Sequence, residues 1–259
     1  MFSVWAMRRF LILIALLCAT AVCLAKQGEL VLLTSADNPP YEFTRSGTIV
    51  GFDIDLAKVI AEKLGKKLVI KDMPFASILP ALISKQGDLA MAAITPTDAR
   101  RENVDFSIPY QNNVSAIVLV NGVEFAHMEN AKATFPLALL EGKTVGVQLG
   151  THHEADILAV NVKDLSVKRY DNIGTMVAAI SNSANGRGSL YALVIGVPEA
   201  QMLIKKNPKL CFFQLKFSDS FAVAFPKNSP LRSDINRIIK LLAESGKLSD
   251  LEIKWDIGQ

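Results

Sequence analysis

Cysteine is scarce in this sequence of 259 residues, which contains only three. Cys18 and Cys23 lie in an apolar stretch near the N-terminus, so the rest of the chain keeps Cys211 alone. A single cysteine cannot form an internal disulfide, which excludes a fold held together by disulfides. Cys211 lies in the apolar run 210–213 and is interpreted as a buried strand residue that behaves as a small hydrophobe.

The sequence also lacks an excess of charge of either sign. It has 28 basic and 25 acidic residues, and its first 25 residues contribute only Arg8 and Arg9 to these totals. The remainder therefore carries 26 basic and 25 acidic residues, a balance without the basic footprint of a nucleic-acid-binding protein. With 20% charged and 50% apolar residues, the chain is typical of a globular protein with a large core.

Signatures of cofactor, metal and catalytic sites are missing as well. Gly146 and Gly150 lack the G-x-G-x-x-G spacing of a dinucleotide-binding loop. His153 and Glu154 would begin an H-E-x-x-H zinc motif, but Ile157 stands where the second histidine belongs. No nucleophile and base are paired by spacing. We therefore expect no cofactor, no metal ion and no catalytic residue.

The N-terminal residues have the layout of a secretory signal peptide. Two arginines precede the apolar run 10–17, and small residues then lead to Ala25 before the chain becomes polar. The stretch from position 10 to Ala25 has 16 residues, fewer than the roughly 20 that a membrane anchor needs. We predict that residues 1–25 are a signal peptide cleaved on export to the periplasm, with translation starting at Met1 or Met7.

Strand-like and helix-like segments alternate in two series, which predicts an α/β protein whose parallel sheets are flanked by helices. The predicted strands cover 30–34, 68–71, 89–94, 144–148, 165–169 and 191–195. The predicted helices cover 52–64, 77–84, 151–159, 173–181 and 198–206, with a further helix in the C-terminal tail.

Two apolar, β-rich stretches, Ser115–Val120 and Phe221–Phe225, enclose about 100 residues, the size of a domain. This arrangement predicts two lobes joined by a pair of crossing strands, with a hinge and a ligand cleft between them. The predicted boundaries are 26–116 for the first part of lobe 1, 117–220 for lobe 2 and 221–259 for the second part of lobe 1.

Ten short segments, in order along the chain, resemble those of the bacterial periplasmic solute-binding proteins that supply polar amino acids to ABC importers (solute-binding protein family 3). They are Asn38–Phe43, Val50–Ala57, Phe75–Leu82, Gly87–Ala90, Ala93–Arg100, Val104–Tyr110, Leu140–Thr151, Tyr170–Asp171, Phe221–Lys227 and Gly246–Trp255. The resemblance implies the type II periplasmic-binding-protein fold, which is α/β and two-lobed, with a mostly parallel sheet in each lobe and two hinge strands. It also implies a monomer that closes on an amino acid or a related small carboxylate and presents it to an ABC permease.

Arg100 is the candidate for binding the carboxylate of this ligand. Thr97 is a plausible helix N-cap, which places Arg100 in a first turn, where a cation opposes the helix dipole unless an anion bridges it. A guanidinium grips a carboxylate through two hydrogen bonds. The resemblance implies that Arg100 holds the α-carboxylate, assisted by amide and hydroxyl groups at Ala93 and Thr95. The alternative is a solvated surface arginine.

Thr151 and His152 follow a predicted strand and open a helix, so their free N–H groups form a natural seat for an anion. The resemblance implies that these amides bind the same carboxylate from lobe 2. The His152 side chain is a candidate ligand contact or pH-sensitive group, whereas His153 is interpreted as an exposed helix residue. Asp53 is interpreted as an acid that stabilises a helix start.

The walls of the predicted ligand site depart from the family pattern at Asn38, where the family has an aromatic residue, and at Gly196, where it has an acid that pairs with the α-ammonium. Phe75 is expected to contact the ligand side chain, with a core phenylalanine as the alternative. Burying an ammonium without a charged partner is unfavourable. Either another acidic group therefore pairs with the α-ammonium, or the ligand has no α-amine. Glu199 is the nearest acid, but its position in the next helix allows it to point away. Gly196→Asp is expected to strengthen the binding of α-amino acids.

Two other functions compete with that of a transport receptor. Cyclohexadienyl and arogenate dehydratases resemble the same proteins, and Glu199 or His152 would then supply the general acid. The second competing function is that of the sensor domain of a receptor, although no membrane helix or signalling domain follows Gln259 in this sequence. One fold often hosts unrelated functions, so the choice among the three depends on the site.

Overall fold

The structure is a computed structural model that describes residues 28–120 and 135–257. The predicted signal peptide, 1–25, lies outside the described residues. No helix within the described ranges is long and apolar enough to cross a bilayer.

The strands follow the two series that the sequence predicts. They are β1 (Glu29–Thr34), β2 (Asp37–Asn38), β3 (Glu42–Arg45), β4 (Thr48–Val50), β5 (Lys67–Asp72), β6 (Leu89–Ala90), β7 (Val104–Phe106), β8 (Gln111–Val120), β9 (Thr144–Gln148), β10 (Ser166–Tyr170), β11 (Ala192–Gly196), β12 (Leu210–Phe221) and β13 (Ala224–Pro226).

The helices also match their predicted positions to within a few residues. They are α1 (Phe52–Lys63), α2 (Phe75–Ile83), α3 (Asp98–Arg101), α4 (His152–Ala159), α5 (Ile173–Ala184), α6 (Val197–Lys206), α7 (Leu231–Glu244) and α8 (Lys247–Lys254). A 3₁₀ turn over Leu137–Leu140 precedes β9.

Two five-stranded sheets form the two lobes, and a small three-stranded sheet of β2, β3 and β4 is added to lobe 1. The strand order is β5-β1-β6-β13-β7 in lobe 1 and β10-β9-β11-β8-β12 in lobe 2. In lobe 1, β1 is parallel to β5 and β6, whereas β13 is antiparallel to its neighbours. In lobe 2, β9 is parallel to β10 and β11, whereas β8 is antiparallel to its neighbours. The predicted two-lobed α/β fold is confirmed: in each mixed sheet four of the five strands run in the same direction, and only β13 or β8 runs against them.

The crossing strands are β8 and β12, which pair antiparallel from Leu210 opposite Val120 to Phe221 opposite Gln111. The prediction that the second crossing covers Phe221–Phe225 was therefore wrong, because the crossing strand ends at Phe221 and β13 belongs to the lobe 1 sheet. The polar residues of 216–220 obscure this strand in the sequence, since they interrupt its apolar pattern.

Each sheet carries a hydrophobic core on both faces. In lobe 1, Ile54, Ile60 and Ile235 pack on one face and Ile78 and Leu82 on the other. In lobe 2 the two faces are covered by separate clusters around Ile157 and Ile180. These cores hold the ends of the strands in fixed positions on either side of the cleft. Cys211 is half-buried beside one of them, and burial raises the pKa of its thiol to about 11.

Candidate ligand-binding site

A pocket lies between the two lobes, where helices begin directly after parallel strands of both sheets. Its wall combines apolar side chains with a few polar groups from both lobes, as in small-molecule sites. The structure places five of the predicted contact residues in its wall: Asn38, Phe75, Ala93, Thr151 and His152. The other two, Thr95 and Arg100, each make a hydrogen bond to lobe 2 beside this wall.

Arg100 is held at the cleft by a short capped helix. The Thr97 hydroxyl accepts a hydrogen bond from the Arg100 amide at 3.3 Å, which makes Thr97 the N-cap of α3 as predicted. The guanidinium carbon of Arg100 lies 5.6 Å from the centre of the Phe75 ring. Phe75 is half-buried and forms part of the pocket wall, so its ring contacts both the arginine and the pocket.

The Arg100 guanidinium connects the lobes. It donates to the carbonyl of Thr95 at 2.6 Å and, across the cleft, to the carbonyl of Gly150 at 2.9 Å. Burial lowers the pKa of Arg100 to about 10, and the charge of Asp219 works in the opposite direction. Arg100 therefore stays charged at neutral pH, and part of its five-donor set remains available to an anion.

Thr151 and His152 open α4 on the lobe 2 side of the pocket. Thr151 is the N-cap, and its hydroxyl accepts from the Glu154 amide at 3.3 Å. The His152 ring is buried and lies 3.1 Å through Nδ1 from the Thr95 hydroxyl and 2.6 Å through Nε2 from an Asp219 carboxylate oxygen. His152 thus joins lobe 1, lobe 2 and a crossing strand at one point.

His153 is buried, so its interpretation as an exposed helix residue was wrong. Its Nδ1 lies 3.2 Å from the hydroxyl of Ser115 on β8, which draws the ring inward. Burial, followed by the charges of His152 and Arg100, keeps the pKa of His153 well below its usual value. His152, His153 and Asp156 bring potential metal-ligating atoms within 4.8 Å of one another, a grouping that no sequence motif indicated.

Asp53 supports the floor of the pocket from below. One of its carboxylate oxygens accepts from the Ala93 amide and from the Tyr110 hydroxyl, each at 2.9 Å. Ala93 has a φ of 48°, an unusual backbone conformation that this bond helps to hold. Burial raises the pKa of Asp53 to about 6. Asp53 lies in the first turn of α1 as predicted, but it is fully buried, because its spacing from Ala57 and Ile60 places it on the apolar face of the helix.

Three acidic residues line the pocket: Asp37, Glu42 and Glu199. Asp37 accepts from Gln148 Nε2 at 3.2 Å and from the Ile173 amide at 2.9 Å, so it ties lobe 1 to two elements of lobe 2. Burial raises the pKa of all three carboxyls, and for Glu42 the charge of Asp53 adds to this effect. The pocket therefore concentrates acidic groups that a cation would stabilise in their charged form.

Glu199 points back toward the cleft instead of away from it. It lies in the first turn of α6, is buried to 8% exposure and extends its carboxylate beside Gly196, the last residue of β11. The Asn38 side chain hydrogen-bonds this carboxylate, which lowers its pKa, but burial dominates and raises the pKa of Glu199 to about 7. Sequence spacing located the acid but could not give the direction of its side chain.

The comparisons with known proteins agree with this geometry. The model of the bacterial extracellular solute-binding proteins, family 3, matches residues 30–259. The arginine-binding extracellular protein ArtP of Bacillus subtilis (strain 168) is 30% identical over 268 aligned positions, covering 98% of this chain and all of that protein. The L-cystine-binding protein TcyJ of Escherichia coli (strain K12) is 29% identical, covering 89% of this chain and 83% of that protein.

Solved structures show the same likeness. An ancestral arginine-binding protein bound to arginine superposes with a TM-score of 0.77 at 34% identity, covering 88% of this chain and 98% of that one. The holo form of ArgBP from T. maritima superposes with a TM-score of 0.74 at 33% identity, covering 88% and 96%. Both are two-lobed binding proteins, and the family match extends over nearly all of the described residues. This chain belongs to the bacterial extracellular solute-binding proteins of family 3.

Proposed function

We propose that this chain is the substrate-binding component of an ABC importer and that it binds an amino acid with a cationic side chain in the pocket between its lobes. The observation that carries the proposal is the wall of three acids, Asp37, Glu42 and Glu199, in a cleft that Arg100 borders. A ligand with one carboxylate and more than one cationic group matches this combination of one cation and three acids. Two of the similar proteins are named as arginine-binding, which supports the same class of ligand.

The carboxylate of the ligand would bind at the end of the pocket where the lobes are joined by Arg100. Arg100 would supply guanidinium donors from lobe 1, and α4 begins at the pocket wall in lobe 2, where the His152 amide would meet the carboxylate. The Thr151 amide, expected to be free, already donates to the Gln148 carbonyl at 3.4 Å. Thr95 and Ala93 complete this end from lobe 1. Phe75 and Asn38 would contact the remainder of the ligand, because both line the pocket.

Ligand binding would close the lobes by a hinge motion at β8 and β12, because hydrogen bonds between the lobes surround the pocket. Asp37 to Gln148 and Arg100 to Gly150 lie on its border and hold the conformation described here. In this scheme lobe 1 comprises 26–116 and 221–259, and lobe 2 comprises 117–220. The mature protein would act as a periplasmic monomer after cleavage of residues 1–25 and would deliver its ligand to the permease.

The test is calorimetry of the purified protein with a panel of L-arginine, L-lysine, L-histidine, L-cystine, L-glutamine and L-glutamate. We expect micromolar or tighter binding of at least one cationic amino acid and no measurable binding of L-glutamate. Tight binding of L-glutamate, or of none of the six, would contradict a cationic ligand class. A co-purified ligand detected by native mass spectrometry would identify the compound directly.

The dehydratase alternative has one observation in its favour, since a carboxyl with a pKa of about 7, such as that of Glu199, can act as a general acid. The same protein preparation should be incubated with prephenate and with arogenate while product formation is followed. We expect no turnover of either compound. Turnover that is lost in Glu199→Gln would establish the enzyme instead.

A further inference from the structure

Glu199 is a buried carboxylate with an unused hydrogen-bonding oxygen. Its side chain is 8% exposed, and Oε2 has no hydrogen-bond partner among the described residues. A charged oxygen buried without a partner is strongly destabilised, so a cation that binds there is favoured. Glu199 lines the interlobe pocket, which gives a ligand direct access to that oxygen.

The position of this carboxylate depends on the glycine three residues earlier. A Cβ atom built on Gly196 would fall well inside van der Waals contact of Glu199 Oε2 and 2.8 Å from Asn113 Oδ1. The Gly196 backbone has an ordinary φ of −74°, so its backbone conformation does not require glycine. The missing side chain is needed for space, because the Glu199 carboxylate occupies the volume that a residue at 196 would fill.

Two asparagines complete the surroundings of Glu199. Asn38, from lobe 1, hydrogen-bonds the Glu199 carboxylate and so fixes its direction. Asn113, from β8, is 4% exposed, and neither polar atom of its side chain has a partner among the described residues. Glu199 Oε2 and Asn113 Oδ1 are thus two buried acceptors beside Gly196, which suits a group with several N–H donors.

This group of acceptors lies next to the proposed carboxylate site. Gly196 pairs in register with Ser115 on β8, and the Ser115 hydroxyl lies 3.2 Å from Nδ1 of His153 in the first turn of α4. Asn113 pairs in register with Asp219, whose carboxylate contacts His152. In an α-amino acid the ammonium and the carboxylate are attached to the same carbon, so both must bind within one small region.

We infer that Glu199 binds the α-ammonium of the ligand together with Asn113 and thereby selects α-amino acids over their des-amino analogues. The absence of a side chain at Gly196 gives the Glu199 carboxylate its space, and Asn38 orients it. The inference rests on the proposed function. It accounts for Asn38 and Gly196 together, since the amide at one position and the space at the other both serve the same carboxylate. It also reverses the expectation for Gly196→Asp, because the added side chain would collide with Glu199.

The test compares L-arginine with 5-guanidinopentanoate, which differs only in lacking the α-ammonium, by calorimetry at pH 8. We expect the wild-type protein to prefer L-arginine by about 30-fold or more, as for a buried charge pair. Glu199→Gln and Gly196→Ala should reduce this preference to less than about fivefold. The matched control is Gly174→Ala, whose Cβ would meet only Asn172 Oδ1 at an ordinary 3.4 Å and should keep the wild-type preference.

A rescue variant separates loss of the acid from loss of structure. The double substitution Gly196→Asp with Glu199→Ala moves the carboxylate from α6 to the end of β11, and it should recover most of the preference for L-arginine. If Glu199→Gln keeps the wild-type preference, the inference is wrong while the proposed function stands. If the wild type binds neither L-arginine nor any amino acid of the earlier panel, the proposed function itself fails.

Discussion

The affinity for an α-amino acid should fall steeply with acidification, because the proton and the ligand ammonium compete for Glu199. Burial raises the pKa of this carboxyl to about 7, so it is charged above that pH and protonated below it. The groups that face it are mostly acidic, which leaves the ligand as its natural counter-ion. They are Tyr41, Glu42, Asp53 and Asp219, with the neutral Asn38 as hydrogen-bond donor.

The magnitude follows from this pKa. Two pH units below 7, only about 1% of the empty sites are charged, so the apparent dissociation constant at pH 5 should be about 100-fold larger than at pH 8. At pH 7 about half a proton should be released for each ligand bound. Calorimetry with L-arginine at pH 5, 6, 7 and 8, in buffers of different ionisation enthalpy, measures both quantities.

The matched control is Glu199→Gln, which should bind weakly with little dependence on pH above 6. Any remaining decrease below pH 6 would report the other buried carboxyls of the cleft, among them Asp53, whose pKa is raised to about 6 by burial. A wild-type affinity that changes by less than about threefold between pH 8 and pH 5 would refute the reasoning.

Three further predictions concern the rest of the cleft. Arg100→Ala should weaken ligand binding by about 2–5 kcal/mol, or 30-fold or more. Arg100→Lys should recover only part of the lost affinity, because an ammonium cannot form the paired bonds of a guanidinium. An unchanged affinity of Arg100→Ala in calorimetry would exclude Arg100 from the carboxylate site. Asp37→Ala removes two hydrogen bonds between the lobes. In small-angle scattering, the ligand-induced decrease in the radius of gyration should therefore be smaller than in the wild type. An identical decrease would show that these bonds do not hold the closed form. Asp53→Asn replaces the carboxylate that accepts from the Ala93 N–H with a neutral amide, so the affinity for the ligand should fall about tenfold. The control is Asp55→Asn, at a neighbouring acid without contact to Ala93, and it should leave the affinity unchanged. Equal effects of the two substitutions would contradict a specific role for Asp53.

The fold could be predicted from the sequence because its segments are long and periodic. The apolar spacing of α1 and the alternating series of strands depend on local pattern, and the structure places them within a few residues of expectation. The second crossing strand was misplaced because β12 continues through the polar residues of 216–220, which interrupt its apolar pattern. Local pattern cannot reveal a strand whose partner, β8, lies about 100 residues away.

The candidate site was predictable only where a motif fixes the backbone. Thr97, Arg100 and Thr151 lie at helix starts, and the structure gives them the expected capping or cleft positions. The inward directions of Asp53, His153 and Glu199 depend on partners distant in sequence, such as Ala93 and Ser115. No spacing within one helix contains that information.

The crowding of Glu42, Asp53, Glu199 and Asp219 around one cleft has a consequence for the economy of transport. With the lobes together and no ligand, the negative charges of these groups repel one another, and the charge of Arg100 offsets part of this repulsion at Asp219. We therefore expect the unloaded protein to favour separated lobes and the loaded one to favour closed lobes. A permease that responds to the closed form would then seldom trigger ATP hydrolysis for an empty receptor. The acidic groups that select the ligand would also disfavour the closed conformation in its absence.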